Sequence, residues 1–174
     1  MVACRLISVE DAPVLAGLLQ DNRDFLAPWE PLRRAEFFTA DGQREAIAAA
    51  LAEHAQGRSL PQVILADDGA ILGRITLSGI VRGAFLSCSV GYWVAEAAGG
   101  RGVATQALAQ VKRAAFADLG LHRIQAETLL ANIGSQRVLE RNGFVRIGLA
   151  PAYLKIAGRW QDMLMFQVVN GAVA

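Results

Sequence analysis

The sequence predicts a mixed α/β fold, one central sheet with helices packed against it. Three patterns carry that expectation. Helix-forming stretches dominate the first third of the chain. Strand-like segments then follow one another across Asp68-Gly69 and Arg82-Gly83, the turn chemistry of antiparallel hairpins. The rest reads strand–helix–strand–helix–strand–strand, an order that returns the chain to the same sheet through helical crossovers. With 174 residues, 53% of them hydrophobic and 19% charged, the chain can bury one substantial core, and a single domain over residues 1–174 is expected.

Each element has a local reason. Residues 5–9 read as a short edge strand. Asp11-Ala12-Pro13 opens a helix to about Leu19, with Asp suited to an N-cap and Pro tolerated in a first turn. Phe25-Leu26-Ala27-Pro28-Trp29-Glu30-Pro31 is an aromatic loop broken by proline. Thr39 or Asp41 caps a second helix that continues through the alanine-rich residues 47–54. Strands are expected at 62–66, 71–77 and 84–94. Ala104, Leu108, Val111, Ala115 and Leu119 then recur at helical spacing, and Gly120 ends that helix. Residues 123–129 form a strand, and 135–141 a short helix stopped by Asn142-Gly143. Residues 144–149 and 163–169 are the last strands, with Gly158-Arg159 near their turn.

Composition narrows the function. A net charge of +1 gives no general drive toward nucleic acid or an anionic membrane. No apolar run approaches the ~18 residues of a membrane span, and the first residues lack the apolar core of a secretory signal. Cys4 and Cys88 are far apart and read as idle thiols in a reducing compartment, so a cytoplasmic location is expected. Two cysteines and two histidines without close spacing do not make a zinc site.

The most informative stretch is Gly99-Gly100-Arg101-Gly102-Val103-Ala104-Thr105, between an apolar strand and an amphipathic helix. A glycine-rich turn feeding a helix start aims unpaired backbone N–H groups, and the positive end of the helix dipole, at one point. That arrangement holds phosphate. No Gly-Lys-Ser/Thr follows, which disfavours nucleotide triphosphate hydrolysis. Gly100-x-Gly102-x-x-Thr105 lacks the third glycine of the dinucleotide fingerprint, and no acidic strand end follows ~20 residues later. A diphosphate-bearing cofactor of another kind is expected.

Three blocks in order identify it: Gly91-Tyr92-Trp93-Val94, the glycine loop, and Asn132-x-x-Ser135-x-x-Val138-Leu139-x-x-x-Gly143-Phe144. Together they resemble the GCN5-related N-acetyltransferase (GNAT) superfamily and, within it, the ribosomal-protein alanine N-acetyltransferases. The resemblance runs from about residue 6 to residue 169. It includes the Phe25-Leu26-x-Pro28-Trp29 loop and the tail from Ala150 through Tyr153-Leu154 to Asp162. It implies a mostly antiparallel mixed sheet of six to seven strands, helices on both faces, splayed between the fourth and fifth strands. The family pattern Gln/Arg-x-x-Gly-x-Gly/Ala is met at Gly102 and Ala104, but its first position is Gly99, so any contact there is through backbone.

The resemblance implies acetyl-CoA as cofactor, with its diphosphate on the amides of Gly99, Gly100, Arg101, Gly102, Val103 and Ala104, and a hydroxyl contact from Thr105. The pantetheine arm would pair with the backbone of Trp93, Val94 and Ala95, next to a β-bulge at the splay, and an N–H near Val94 would face the thioester oxygen. Direct attack by the amine is implied, with Ser135 as proton donor to the leaving sulfur and Asn132 holding pantetheine or water. Both residues also suit the cap of the short helix. Phe25, Trp29, Tyr92 and Tyr153 are expected around the acceptor. For the base, the tail glutamate of some relatives is missing, which leaves Glu127, Glu96, Glu30 or a water relay. His122 and Arg123 read as a helix-end charge pair or a contact to the adenosine phosphate. The expected acceptor is a protein N-terminal α-amine, with a small amine on the same scaffold, or a CoA-binding module without transfer, as alternatives. A homodimer is among the states the resemblance allows.

Overall fold

The computed structural model describes residues 2–171. Its strands are β1 (Ala3–Leu6), β2 (Leu60–Leu65), β3 (Ile71–Val81), β4 (Ser87–Val94), β5 (Arg123–Leu129), β6 (Val145–Ile156) and β7 (Arg159–Val169). They form one seven-stranded sheet in the order β1-β2-β3-β4-β5-β7-β6. Every pairing is antiparallel except β4 with β5. The helices are α1 (Ala12–Asp21), α2 (Arg23–Leu26), α3 (Ala40–Ala55), α4 (Val103–Arg113) and α5 (Ile133–Arg141).

Alternation along the strands sends side chains to two different cores. On one face Ile75, Leu77, Ile124 and Ala126 pack under Val103, Ala107, Leu108 and Val111 of α4 and Leu139 of α5. On the other, Val63 packs with Leu15 of α1 and Ile47 of α3. Neighbours on β4 therefore part company: Tyr92 and Val94 join the α4–α5 core, and Trp93 joins the α1–α3 core. Among the described residues, no helix is long and apolar enough to cross a membrane.

Several boundaries differ from the sequence expectation, each for a local reason. β1 ends at Leu6, not Val9, because Ser8 N–H donates to Asp11 Oδ2 (2.8 Å) and turns the chain out of the sheet. Asp11 does occupy the N-cap position of α1, but its side chain makes no cap bond there; its carboxylate takes both Arg5 Nη groups, at 2.6 and 2.7 Å. The aromatic stretch is helical, α2 running into a 3-10 turn at Ala27–Trp29, with Pro28 at a helix start where no N–H is needed. Thr39, not Asp41, caps α3 by accepting from Gly42 N–H (3.1 Å). β4 starts at Ser87 because Gly83 and Leu86 both take positive φ. α4 gives way to a π turn at Ala114–Asp118, which keeps Ala115 buried before Gly120 (φ 62°) ends the segment.

The last hairpin is much longer than residues 144–149 and 163–169, running from Val145 through the turn at Ala157-Gly158 (φ 47° and 79°) to Val169. β6 is an edge strand with most residues exposed, so it carries little of the burial pattern that marks a strand in sequence.

The Arg5–Asp11 clamp gives a stability test. Asp11 is 6% exposed, and the Arg5 hydrogen bonds hold its carboxyl below the usual carboxylate range. Since Arg5 stays half-exposed and solvent-screened, D11N should cost about 1–3 kcal/mol in urea unfolding at neutral pH. The folded-state value is the lower one, so this contribution is complete above the unfolded value of ~3.9 and fades as pH falls through the folded value. The gap between wild type and D11N should therefore narrow below about pH 4.

Candidate functional site

The site begins where the sheet comes apart. β4 and β5 pair only at Ser87↔Arg123, Cys88↔Ile124 and Ser89↔Gln125. Beyond that β4 stays with β3 as far as Gly73↔Val94, and β5 stays with β7 as far as Leu129↔Met163. The expected bulge beside the splay is absent from the β3–β4 ladder, whose register is unbroken from Gly73↔Val94 to Ser78↔Ser89. Its irregularity lies at the far end, between Ser78 and Val81. The strands part because each follows its outer neighbour.

This leaves residues 90–94 of β4 with a free edge. Ala95 N–H donates to Leu72 O (2.8 Å). By the alternation of an antiparallel ladder, the backbone groups of Tyr92 and Val94 then face the gap. Gly73 sits directly behind this edge; a Cβ there would lie 2.2 Å from Trp93 O and 2.8 Å from Val94 Cα.

Two cavities meet at the gap. One, of about 480 Å³, runs from Phe25 and Trp29 past Trp93 and Val94 to Gly99, Gly100, Gly102, Val103, Ala104 and Thr105. The other, of about 450 Å³, lies over the opposite face, lined by Glu30, Arg33, Arg74, Gly91 and Glu127 among others. Leu26, Trp29, Tyr92, Trp93, Asn132 and Ser135 line both. Ala95 and Arg101 are outside both linings: Ala95 is bonded to Leu72, and the Arg101 guanidinium turns back to Ala97 O.

The first cavity ends in a cradle. Gly100 and Gly102 take φ of 70° and 75°, a region that side chains disfavour. Gly102 caps α4, and the first helical N–H to bond back is Gln106, to Gly102 O (3.0 Å). The amides of Val103, Ala104 and Thr105 are thus left for another acceptor. A Cβ at Gly99 would come within 3.0 Å of Glu96 O, which already receives the Gly99 N–H. Arg137 and Arg141 of α5 line the same cavity and add positive charge the sequence reading did not single out.

At the junction, Tyr92 reaches from β4 to α5, its hydroxyl 2.9 Å from Ser135 Oγ. Burial pushes the Tyr92 phenol up to about 12, with the Ser135 bond acting in the opposite direction. Asn132 Oδ1 accepts Ser135 N–H (3.0 Å), so Asn132 does cap α5 while also lining both cavities.

The second cavity holds the ionisable groups. Burial raises the Glu127 carboxyl; Ser89 Oγ approaches at 3.5 Å, and among the described residues no ion pair is formed by it. Burial also raises Glu30, while Arg33 and Arg74 pull it back. Glu96 lines neither cavity, and its N–H donates to Asn22 Oδ1 (2.7 Å). Phe25 lines the first cavity and not the second. Tyr153 is 44% exposed and outside both, whereas Leu154 and Ile156 of the same strand line the second. His122 and Arg123 lie at the closed end of β5, where His122 N–H bonds Leu86 O (2.8 Å), and neither lines either of these two cavities.

Sequence reasoning passed over Arg74 and Thr76, and used Gly91 only as part of a motif without giving it a place at the site. The signal was present: in β3 Arg74, Thr76 and Ser78 alternate with buried Gly73, Ile75 and Leu77, a polar row within an apolar strand. Gly91, opposite Thr76, is exposed in mid-sheet, and a Cβ there would meet nothing within 4 Å.

Comparison with known proteins agrees with this architecture. Residues 3–145 match the family described as acetyltransferase (GNAT) domain. The chain is 33% identical over 162 residues to the ribosomal protein uS5-alanine N-acetyltransferase of Escherichia coli, covering 92% of this chain and 84% of that protein. It superposes on Mycobacterium smegmatis RimJ in complex with CoA-disulfide with TM-score 0.95 and 32% identity, over 99% of this chain and 83% of that one. The ribosomal-protein-S5-alanine acetyltransferase of Vibrio fischeri gives TM-score 0.92 at 32% identity, over 98% and 93% of the two chains.

Two glycine substitutions test the geometry. G73A drives a methyl into β4 backbone that cannot yield, and should lose about 1–3 kcal/mol in urea unfolding. G91A points into open space and should change stability by about 0.5 kcal/mol or less.

Proposed function

The chain belongs to the GNAT acetyltransferase family, and from that premise we propose that it transfers acetyl from acetyl-CoA directly to the N-terminal α-amino group of a protein, as the ribosomal-protein alanine enzymes do, in the cytoplasm. The observation that carries this reading is the junction of two cavities at the free edge of β4, with Tyr92 and Ser135 at the meeting point. One cavity suits the cofactor, the other the acceptor. The kinship to the E. coli uS5-alanine enzyme supports the choice of acceptor.

The residues present fit the cofactor. The glycine cradle and the amides of Val103, Ala104 and Thr105 would hold the pyrophosphate, and Arg137 and Arg141 supply counter-charge. The open backbone groups of Tyr92 and Val94 would pair with the amide-like pantetheine arm as a strand does. Acetyl-CoA supplies an activated thioester, whose C–S bond breaks as the C–N bond to the amine forms.

This chain's own part is to place and move protons. Val94 N–H faces the gap and would hold negative charge developing on the acyl oxygen. Ser135 Oγ–H gives its proton on the cofactor side, and the Tyr92 hydroxyl beside it steadies and replenishes that group. Glu127 takes the amine's proton, directly or through one water, since burial lifts its carboxyl toward the range where a base works. An α-amine, at ~7.7–8.0 against ~10.4 for lysine, needs only such a modest base.

Thiol release from acetyl-CoA tests the reading, with free and α-blocked peptides beside spermine and an aminoglycoside. Free peptides should turn over and blocked ones should not; preference for the small amines contradicts the proposal. S135A should lose roughly 10²-fold or more in kcat while still binding CoA. In wild type the rate falls as pH drops through the raised Glu127 value. In E127Q that acid limb should vanish, leaving a weaker rate that follows amine deprotonation near ~7.7–8.0.

A further inference from the structure

Taking the second cavity to be the acceptor's, as proposed above, we infer that the acceptor carries a carboxylate close to its reacting amine and that Arg74 binds it. The inference rests on how the protein treats Arg74. This side chain lines the cavity, and its Nε is buried without a hydrogen-bond partner. Among the described residues no ion pair is formed by it. Its charged neighbours are Arg33 and Glu30, one carboxylate for two guanidinium groups, so this end of the cavity is left positive.

A guanidinium has five N–H donors in a flat fork; leaving the buried Nε unmatched is costly, and an anion entering the cavity can engage Nε and an Nη together. Glu127 of β5 lines the same cavity, and among the described residues no ion pair is formed by it. The cavity lining therefore carries a carboxylate on β5, where the amine is deprotonated, and a positive cluster around Arg74 on β3. A polycation would set a second ammonium against Arg33 and Arg74.

Register gives the spacing. Arg74 pairs with Trp93, the residue between Tyr92 and Val94 on the free edge. One strand spacing, ~4.8 Å, thus separates Arg74 from the edge where acyl transfer is placed. An extended acceptor advances ~3.4 Å per residue, so the carboxylate belongs one or two residues from the amine. Gly91, facing open space beside Thr76, leaves the floor of the cavity clear for that short stretch of chain. The same chemistry comes from an acidic side chain at the second or third position of a protein, or from the α-carboxylate of a free amino acid.

The test is a charge series followed by thiol release. C-terminally amidated peptides with free α-amines differ only in Asp, Ser or Lys at position two or three, and free alanine and aspartate run beside them. Wild-type kcat/KM for the better Asp peptide should exceed that for its Ser counterpart by about tenfold or more, with Lys lower still. R74Q should bring the Asp/Ser ratio to about one, R74K should retain part of it, and R74E should favour Lys. A purely structural Arg74 would depress all peptides alike and preserve the ratio, which overturns the inference. So does equal turnover of the three peptides by wild type. Free amino acids turned over faster than peptides keep the Arg74 site and assign its carboxylate to a small acceptor. If no acceptor with a free α-amine reacts, the α-amine reading fails and this inference with it. Should R74Q fail to fold, the wild-type ratio and its decline in about 0.5 M salt decide the matter.

Discussion

The structure depends on one constraint: β4 and β5 are neighbours that stop being partners. They pair over Ser87–Ser89 and then diverge, because β4 remains bonded to β3 and β5 to β7. A buried backbone group without a partner costs about 1–3 kcal/mol, so an internal edge of this kind persists only when the surrounding structure holds it open. Here each strand is anchored along its other side, and α5 bridges the opening through the Tyr92–Ser135 hydrogen bond.

The opening also explains how the two faces of the sheet communicate. In a closed sheet the α4–α5 core and the α1–α3 core would be separate compartments. The gap joins them, and alternation along β4 gives each side its own residue: Tyr92 toward α5, Trp93 toward α1 and α3. An amine bound over one face can therefore meet an acyl group laid along the other. The glycine cradle at the start of α4 lines the cavity proposed for the cofactor, and the charged groups of β3 and β5 line the one proposed for the acceptor.

Legibility in the sequence followed burial. β5 was read to the residue, because Ile124, Ala126 and Thr128 alternate strictly with less buried neighbours. The glycine loop was legible since only a special backbone needs such residues, and Gly100 and Gly102 do take positive φ. The β6–β7 hairpin was underread because an exposed edge strand has no inward face to mark it. Pro28 signalled a loop, yet proline is equally at home in the first turn of the short helix found there. The expected bulge came from family pattern rather than from any residue, and the ladder does not contain it. Arg74 went unnoticed because a single cation in an apolar strand gains meaning only once a cavity is seen beside it.

The central claim is tested most directly by the crystal structure of the protein with acetyl-CoA. The account predicts a pyrophosphate on the amides of Val103, Ala104 and Thr105, amide pairing along Tyr92 and Val94, and the acyl carbon between Val94 and Ser135. A complex in which β4 and β5 pair beyond Ser89 and Gln125, or in which the cofactor lies away from this gap, would contradict it.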